Sequence, residues 1–299
     1  MEFLRFIEGI RTPFLDSVFG LATHLGDETV VVVVICAIFW CINKQVAYRI
    51  CIAFFFSGLT VLGMKICFRV DRPWVIDPTF KPVPSALKGA TGYSFPSGHT
   101  QSAAALFGTL GAVIKHKPAK VLCFFIVFLV ALTRLYLGVH TIIDVAASLV
   151  ITLLLVAVSV KVFADGTAGK KNVMILSLVM ALYSAAVVVV AAELFRSGKI
   201  EQSNLSDCVK AAGIGIGFSV GMYIERVYIN FSTRSKSYIW QIIKFVPGLA
   251  GVLAIQEGLK PIIGAGLIAD GLRYFLMIMW VTVLFPLIIK RFFTDAKDN

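Results

Sequence analysis

Long apolar runs follow one another along most of the chain, and they constrain its fold more than any other feature. Each run has about 15–24 residues and ends at charged residues or at Gly and Pro, as expected for helices that cross a bilayer. Hydrophobic residues make up 58% of the 299 residues and charged residues only 15%, whereas about a quarter of a soluble domain is charged. Too little polar surface would remain to cover such helices in water. The sequence therefore predicts an all-α, polytopic membrane helical bundle.

We predict about nine transmembrane helices, preceded by an interfacial amphipathic segment over residues 1–27. In that segment, apolar residues such as Phe3 and Ile7 recur at helical spacing opposite Arg5 and Glu8, a pattern typical of a helix that lies in the membrane surface. The first transmembrane helix is short for a hydrocarbon layer of about 30 Å. The predicted transmembrane helices cover residues 29–43, 46–66, 98–114, 119–138, 141–161, 172–195, 208–229, 238–256 and 272–289.

The positive charge of the chain is concentrated in alternate loops between these helices. The formal net charge is +11, and basic residues follow each odd-numbered helix, which places those loops and the C-terminus in the cytoplasm and the N-terminus outside. Basic patches with interleaved aromatic residues, typical of nucleic-acid binding, are missing, so the expected partner is the lipid bilayer and not nucleic acid. The start of the chain lacks a basic region and a cleavage site, and we expect no removable signal peptide.

The cysteines give no indication of a metal site or of a disulfide framework. All six lie in or at the ends of apolar runs, and none forms a CxxC pair or a cluster with histidine. We therefore expect no metal and no cofactor.

Three polar clusters stand out because a membrane protein normally avoids such residues within or beside its helices. The first is Lys65 with Arg72-Pro73, the second is Pro96-Ser97-Gly98-His99, and the third is Arg134, His140 and Asp144. The predicted topology places all three on the outer face, and the 67–97 loop beside them is long enough to cover or form a site. We expect 28–165 to form a catalytic membrane core and 166–299 a four-helix membrane extension.

These residue types together suit phosphoryl transfer. Lys65, Arg72 and Arg134 offer three cations to bind a phosphoryl group and stabilise its oxygens. Ser97 and Gly98 lie where a loop enters a helix, whose free amides and dipole favour an anion.

His140 and Asp144 are four residues apart and share one helix face, so the carboxylate can orient the imidazole as a nucleophile. His99 can protonate the leaving oxygen. The set predicts a metal-independent phosphatase with catalytic residues His140, His99 and Asp144.

The three clusters resemble the tripartite signature of the type-2 phosphatidic acid phosphatase family, which is related to glucose-6-phosphatases and vanadium haloperoxidases. The family pattern reads KxxxxxxRP, PSGH and SRxxxxxHxxxD, and Thr133 replaces the usual serine of the third motif. The resemblance covers residues 46–161. It implies that His140 forms a phosphohistidine, that Asp144 orients it and that His99 is the general acid. It also implies that phosphate is bound by Lys65, Arg72, Ser97, Gly98 and Arg134.

We therefore expect hydrolysis of lipid phosphomonoesters or pyrophosphates of the phosphatidic acid, phosphatidylglycerol phosphate or polyprenyl phosphate type. Three alternatives stay open: a phosphatase of a soluble ester such as a sugar phosphate, a lipid phosphotransferase, and a non-catalytic lipid transporter or scaffold. We place the protein in a bacterial plasma membrane, with its site on the extracytoplasmic face. The last four helices could support a homodimer.

Overall fold

The computed structural model describes residues 1–163, 169–235, 237–264 and 266–293, and throughout these ranges the regular elements are helices. The predicted all-α membrane bundle is confirmed. Residues 164–168 lie outside the described residues, so the predicted division between a catalytic core and an extension at residue 165 stays a prediction.

All three polar motifs lie before residue 163, within helices or in the turns beside them. Short 3₁₀ and π-helical turns join or continue some of them: Thr23–Gly26 precedes α3, Ile38–Ile42 follows it, and Ala104–Gly108 links α7 to α8. These helices are α1 (Glu2–Gly9), α2 (Pro13–Ala22), α3 (Glu28–Ala37), α4 (Lys44–Phe68), α5 (Pro73–Ile76), α6 (Pro84–Leu87), α7 (Gly98–Ala103), α8 (Thr109–Val113), α9 (Lys117–Tyr136) and α10 (Ile142–Val162).

The remaining helices are long, with two π-helical turns at Glu225–Ile229 and Trp280–Leu284. They are α11 (Lys170–Arg196), α12 (Gln202–Ile224), α13 (Tyr238–Gly258), α14 (Lys260–Ile263), α15 (Leu267–Met279) and α16 (Phe285–Phe292).

Seven helical segments of the described chain are long and apolar enough to cross a membrane, and a bent pair would make an eighth. The predicted count of nine is not confirmed, and two of the predicted helices account for the difference. The predicted helix 29–43 is the second arm of the bent pair Pro13–Gly26 and Glu28–Ile42, whose arms meet at 48°. The predicted helix 98–114 ends at Val113, and at about 1.5 Å per residue it is too short to cross about 30 Å of hydrocarbon.

The described chain forms two compact units, and the first contains residues 1–32 and 49–161. Within it, α1 packs against the long 67–97 loop. Arg5 donates to Asp77 Oδ2 at 2.6 Å, and the backbone N–H of Lys81 donates to Glu8 Oε1 at 3.0 Å. The polar side of this predicted amphipathic helix thus binds protein instead of facing water only. Its position in the membrane surface stays a prediction.

The second unit contains residues 33–48 and 162–299, described here up to residue 293. In its described part, three glycines of α12 that recur every four residues, Gly213, Gly217 and Gly221, lie close to the segment 271–282. A Cβ on Gly213 would collide with the carbonyl oxygen of Gly271, and one on Gly221 would collide with the side chain of Thr282. Small residues allow membrane helices to pack at such short range.

Candidate active site

The two cations of the first motif are positioned where α4 ends. Lys65 lies in the last turn of α4, and Arg69 then adopts a positive φ of 50° that ends the helix. The chain turns there, so that Arg72 directly precedes the short helix Pro73–Ile76. Lys65 Nζ donates to the carbonyl oxygen of Tyr93, which ties the end of α4 to the last part of the long loop.

Backbone carbonyls hold the guanidinium of Arg72 in a fixed orientation. Its Nε donates to Gly92 O at 3.0 Å, its Nη2 to Thr91 O at 2.7 Å and its Nη1 to Val139 O at 2.9 Å. The residue is buried, with 7% of its surface exposed. Carbonyl dipoles orient a cation without neutralising it, so Arg72 keeps a positive charge available to an anion.

Arg72 also contacts the ring of His140, and this contact identifies the tautomer. Arg72 Nη1 lies 3.1 Å from His140 Nε2. Because a guanidinium only donates hydrogen bonds, Nε2 must accept and therefore carries the lone pair. The proton of the neutral ring then lies on Nδ1, which is 3.5 Å from Asp144 Oδ2. The ring thus presents a nucleophilic nitrogen beside the Arg72 cation.

The carboxylate of Asp144 is itself held by two donors. Thr141 donates to Oδ2 from its backbone N–H at 2.7 Å, and Ser94 donates to the same oxygen from its hydroxyl at 2.6 Å. His140 and Asp144 are both buried, with 2% exposed. Ser94 was not predicted from the sequence, because a serine in a loop rich in Gly and Pro carries no spacing signal.

The environment of His140 favours its neutral form. Burial lowers the pKa of His140 well below its ordinary value of 6.5. The hydrogen bond with Asp144 opposes this shift, whereas the charges of Arg72, Lys65 and Arg134 lower the pKa further. His140 is therefore unprotonated at neutral pH and keeps the lone pair that a nucleophile needs.

Gly138 lies in the turn before His140, and we predict that its replacement destabilises the protein. Its φ is +75°, and a Cβ there would lie 2.7 Å from Phe80 Cζ. We expect Gly138→Ala to lower the unfolding free energy by about 2 kcal/mol, measured by thermal unfolding in detergent. Gly198→Ala is the matched control, since Gly198 has φ +68° but open space around its Cβ. Equal destabilisation by the two variants would contradict the role of the Phe80 contact.

The second motif is anchored to the third through its backbone. Ser97 donates its N–H to the carbonyl oxygen of Asp144 at 3.1 Å, and Ser148 donates from its hydroxyl to Ser97 O at 2.7 Å. Ser97 precedes α7, and a Cβ built on the next residue, Gly98, would meet no atom within 4 Å. Open space therefore lies in front of Gly98, at the start of a helix and close to Asp144.

Arg134 carries a donor that the protein leaves unsatisfied. Its Nη1 donates to Thr23 Oγ1 at 2.7 Å, but its Nε is buried and has no hydrogen-bond partner. The residue is 2% exposed. Since unsatisfied buried donors are rare and costly, this atom indicates a place for an acceptor such as a phosphate oxygen.

The general-acid candidate, His99, contacts a residue that was not predicted. Its Nε2 lies 3.0 Å from Asp27 Oδ1. Asp27 and Thr23 both come from the turn before α3, which the sequence placed in an amphipathic segment without a catalytic role. No motif spacing links this turn to the site, because the contacts arise from tertiary packing.

All eight residues predicted for the site lie in the first compact unit. Direct contacts join Arg72, His140, Asp144 and the backbone of Ser97. Lys65 and Arg134 act on His140 through their charges. Thr133, which replaces the serine of the third motif, bonds its hydroxyl to Val130 O of its own helix at 2.6 Å.

Two proteins that are similar to the chain are named as phosphatases. It is 29% identical over 164 residues to phosphatidylglycerophosphatase B of Bacillus subtilis, covering 49% of this chain and 74% of that protein. It is 30% identical over 165 residues to a probable sphingosine-1-phosphate phosphatase of Dictyostelium discoideum, covering 49% of this chain and 38% of that protein.

Two solved structures are also similar to the chain. The first is a transmembrane PAP2-type phosphatidylglycerolphosphate phosphatase from Bacillus subtilis, with 25% identity, a TM-score of 0.47, and coverage of 56% of this chain and 85% of that one. The second is LpxE of Aquifex aeolicus, with 27% identity, a TM-score of 0.45, and coverage of 54% and 93%.

Two family models match the chain in consecutive regions. The model of the PAP2 superfamily matches residues 46–167, which include all three polar motifs. The model of the transmembrane extension of PAP2 superfamily phosphatases matches residues 209–297. Together with the apolar helices of both regions, these matches identify the chain as an integral membrane phosphatase of the PAP2 superfamily.

Proposed function

We propose that the protein hydrolyses phosphomonoesters or pyrophosphates of membrane lipids through a phosphohistidine on His140. The observation that carries this proposal is the contact of Arg72 Nη1 with His140 Nε2 at 3.1 Å. It places the lone pair of a buried imidazole on a guanidinium N–H, which a bound phosphoryl group would have to replace. A phosphate in that position would meet the nucleophile and its electrostatic stabilisation together.

The proposed reaction has two steps that share the same residues. In the first, the lone pair of His140 Nε2 forms a bond to phosphorus, the ester P–O bond breaks, and His99 gives a proton to the leaving oxygen. In the second, the oxygen of a water molecule bonds to phosphorus while His99 takes a proton from it, the bond between phosphorus and His140 Nε2 breaks with its electron pair returning to the ring, and inorganic phosphate leaves. Asp144 stabilises the positive charge that develops on the ring of His140.

The remaining predicted residues have binding roles in this proposal. Lys65, Arg72 and Arg134 bind the phosphoryl oxygens, and the unsatisfied Nε of Arg134 would receive one of them. Ser97 and Gly98 provide the helix start in front of which open space lies. In this scheme the three cations carry the charge stabilisation that a metal ion supplies in other phosphatases.

Lipid substrates are favoured by the names of the relatives and by the surroundings of the site. The relatives act, by name, on phosphatidylglycerophosphate and sphingosine-1-phosphate. A cavity of about 390 Å³ is lined by residues of the Asp16–His24 segment, by Ser85 and Ala86, and by Leu137. Its walls are both polar and apolar, and one lining residue, Thr23, accepts a hydrogen bond from Arg134. We further propose that the site faces the extracytoplasmic side of a bacterial plasma membrane, as loop charge predicts.

A phosphate-release screen of the purified protein tests this function. We expect turnover of phosphatidic acid, phosphatidylglycerol phosphate or a polyprenyl pyrophosphate in mixed micelles, and we expect activity to change less than about twofold in EDTA, because side-chain cations stabilise the charge. A labelled acceptor alcohol added in the same assay separates hydrolysis from phosphotransfer. Turnover of soluble sugar phosphates alone, or a strict requirement for Mg²⁺, would contradict the proposal.

A further inference from the structure

One carboxylate in the first compact unit lies between two histidines. Asp27 Oδ1 is 3.0 Å from Nε2 of His99, and Asp27 Oδ2 is 2.6 Å from Nδ1 of His24. His24 has 63% of its side chain exposed, whereas His99 has 22%. The carboxylate is therefore fixed at both oxygens and connects the inner histidine to an outer one.

Close packing keeps Asp27 in this position. The turn Thr23–Gly26 lies directly on the start of α7, and a Cβ on Gly26 would be 2.8 Å from the carbonyl oxygen of His99. Thr23, at the other end of the turn, accepts a hydrogen bond from Arg134. The turn thus contacts two of the predicted site residues and cannot move away from His99 without losing both contacts.

Burial and two neighbouring cations disfavour the charged form of His99, and the carboxylate of Asp27 opposes them. A general acid must hold a proton as the leaving group departs, but burial, followed by the positive charges of Arg134 and Arg72, lowers the pKa of His99 to about 4. Asp27 is the negative group that faces His99 and favours its charged form. With Nε2 directed at Asp27, Nδ1 is the ring nitrogen that would face a leaving group.

We propose that Asp27 is a positioning residue that orients His99 and stabilises its protonated form, so that His99 can donate its Nδ1 proton to the leaving oxygen. This inference rests on the proposed function and assigns a role to a residue outside the three motifs. In the first step, the ester P–O bond breaks as the His140–phosphorus bond forms, and the proton moves from His99 to the alkoxide. His99 becomes neutral, remains bonded to Asp27, and recovers a proton from the attacking water of the second step.

In this role, Asp27 affects the rate of hydrolysis only when the leaving group needs a proton. An alkyl alkoxide is strongly basic and must be protonated as it leaves, whereas a nitrophenolate is stable without a proton. We therefore compare dodecyl phosphate with 4-nitrophenyl phosphate as substrates of the detergent-solubilised full chain. Asp27→Asn removes the charge but keeps a residue that is equally suited to the position before a helix, so α3 is preserved.

We expect Asp27→Asn to reduce kcat for dodecyl phosphate by about 10²-fold and for 4-nitrophenyl phosphate by less than about threefold. Asp27→Glu, which keeps a carboxylate, should recover part of the activity on dodecyl phosphate. The matched control is Asp207→Asn, which removes an exposed carboxylate in the second compact unit and should leave both activities unchanged.

The outcomes separate this inference from the proposed function. Equal losses on the two substrates, or no loss on either, would overturn the role of Asp27 while the wild-type and His140→Ala proteins still report on the nucleophile. Absence of phosphate release by the wild-type protein from both substrates and from the lipid esters would overturn both proposals. A melting temperature within a few degrees of wild type shows that Asp27→Asn has folded, and Asp27→Ser, which also lacks the charge and suits the position before a helix, replaces it if it has not.

Discussion

Replacement of His140 by alanine will reduce phosphate release by at least about 10⁴-fold from every ester that the wild-type protein hydrolyses. The reason is that the variant lacks the Nε2 lone pair that Arg72 orients at 3.1 Å, and we assign the attack on phosphorus to this atom. Binding should survive, because the cations and the start of α7 remain. Initial rates of phosphate release in mixed micelles measure the loss, and protection by added phosphate against thermal unfolding measures the retained binding.

The control for this variant is another histidine of the same chain. His116 is exposed in the turn before α9, and His116→Ala should retain the wild-type rate. A His140→Ala protein that is folded and hydrolyses its esters at a rate within tenfold of wild type would contradict the assignment of the nucleophile.

Asp144→Asn should produce the second large effect, a decrease of about 10³-fold in kcat. The amide oxygen can still accept the hydrogen bonds from Thr141 and Ser94 that now reach Oδ2 at 2.7 Å and 2.6 Å, so the local structure is retained. What disappears is the negative charge beside Nδ1, which stabilises the ring once Nε2 is bonded to phosphorus. KM should change much less than kcat, since the variant loses an interaction made in the transition state.

Two companion variants test this reasoning. Ser94→Ala removes one donor to the carboxylate but keeps its charge, and we expect a loss of about tenfold. Asp207→Asn changes an exposed carboxylate in the C-terminal unit and should have no effect. A smaller loss for Asp144→Asn than for Ser94→Ala would contradict the charge argument, because it would mean that hydrogen bonding alone positions His140.

The helical membrane architecture could be predicted from the sequence because apolar runs and loop charges are local signals. The predicted count of nine helices is not confirmed, because two of the predicted helices are a bent arm and a short helix. The run 29–43 is one arm of a bent pair, and its bend depends on the preceding Thr23–Gly26 turn. The helix that begins at Gly98 ends at Val113, which leaves it too short to cross the membrane.

Only those residues of the candidate site that belong to the three spaced motifs could be predicted from the sequence. Residues such as Arg72 and His140 stand out because ionisable side chains are costly beside membrane helices. Ser94, Thr23 and Asp27 carry no such signal, because a polar residue in a turn or loop is ordinary. Their roles arise from contacts between distant parts of the chain, such as the hydrogen bond between Arg134 and Thr23, which lie 111 residues apart.

The N-terminal segment also makes contacts with distant residues that its sequence does not predict. Its spacing predicts an amphipathic helix, and Phe6 with 65% exposure fits an apolar outer face. The sequence does not reveal that Arg5 binds Asp77 or that the following turn lies on the site. The role proposed above for Asp27 would make this segment part of the catalytic apparatus, and its contact with the membrane stays a prediction.

The central claim, that His140 attacks phosphorus, can be tested most directly by trapping the intermediate. The purified protein is mixed with an excess of lipid phosphate, quenched in alkali within milliseconds, digested and examined by mass spectrometry. We predict a phosphoryl group on the peptide that contains His140, stable in alkali and lost in acid, and absent from His140→Ala. A phosphoryl group on another residue, or turnover without any phosphoenzyme under conditions where chemistry is faster than its hydrolysis, would contradict this assignment.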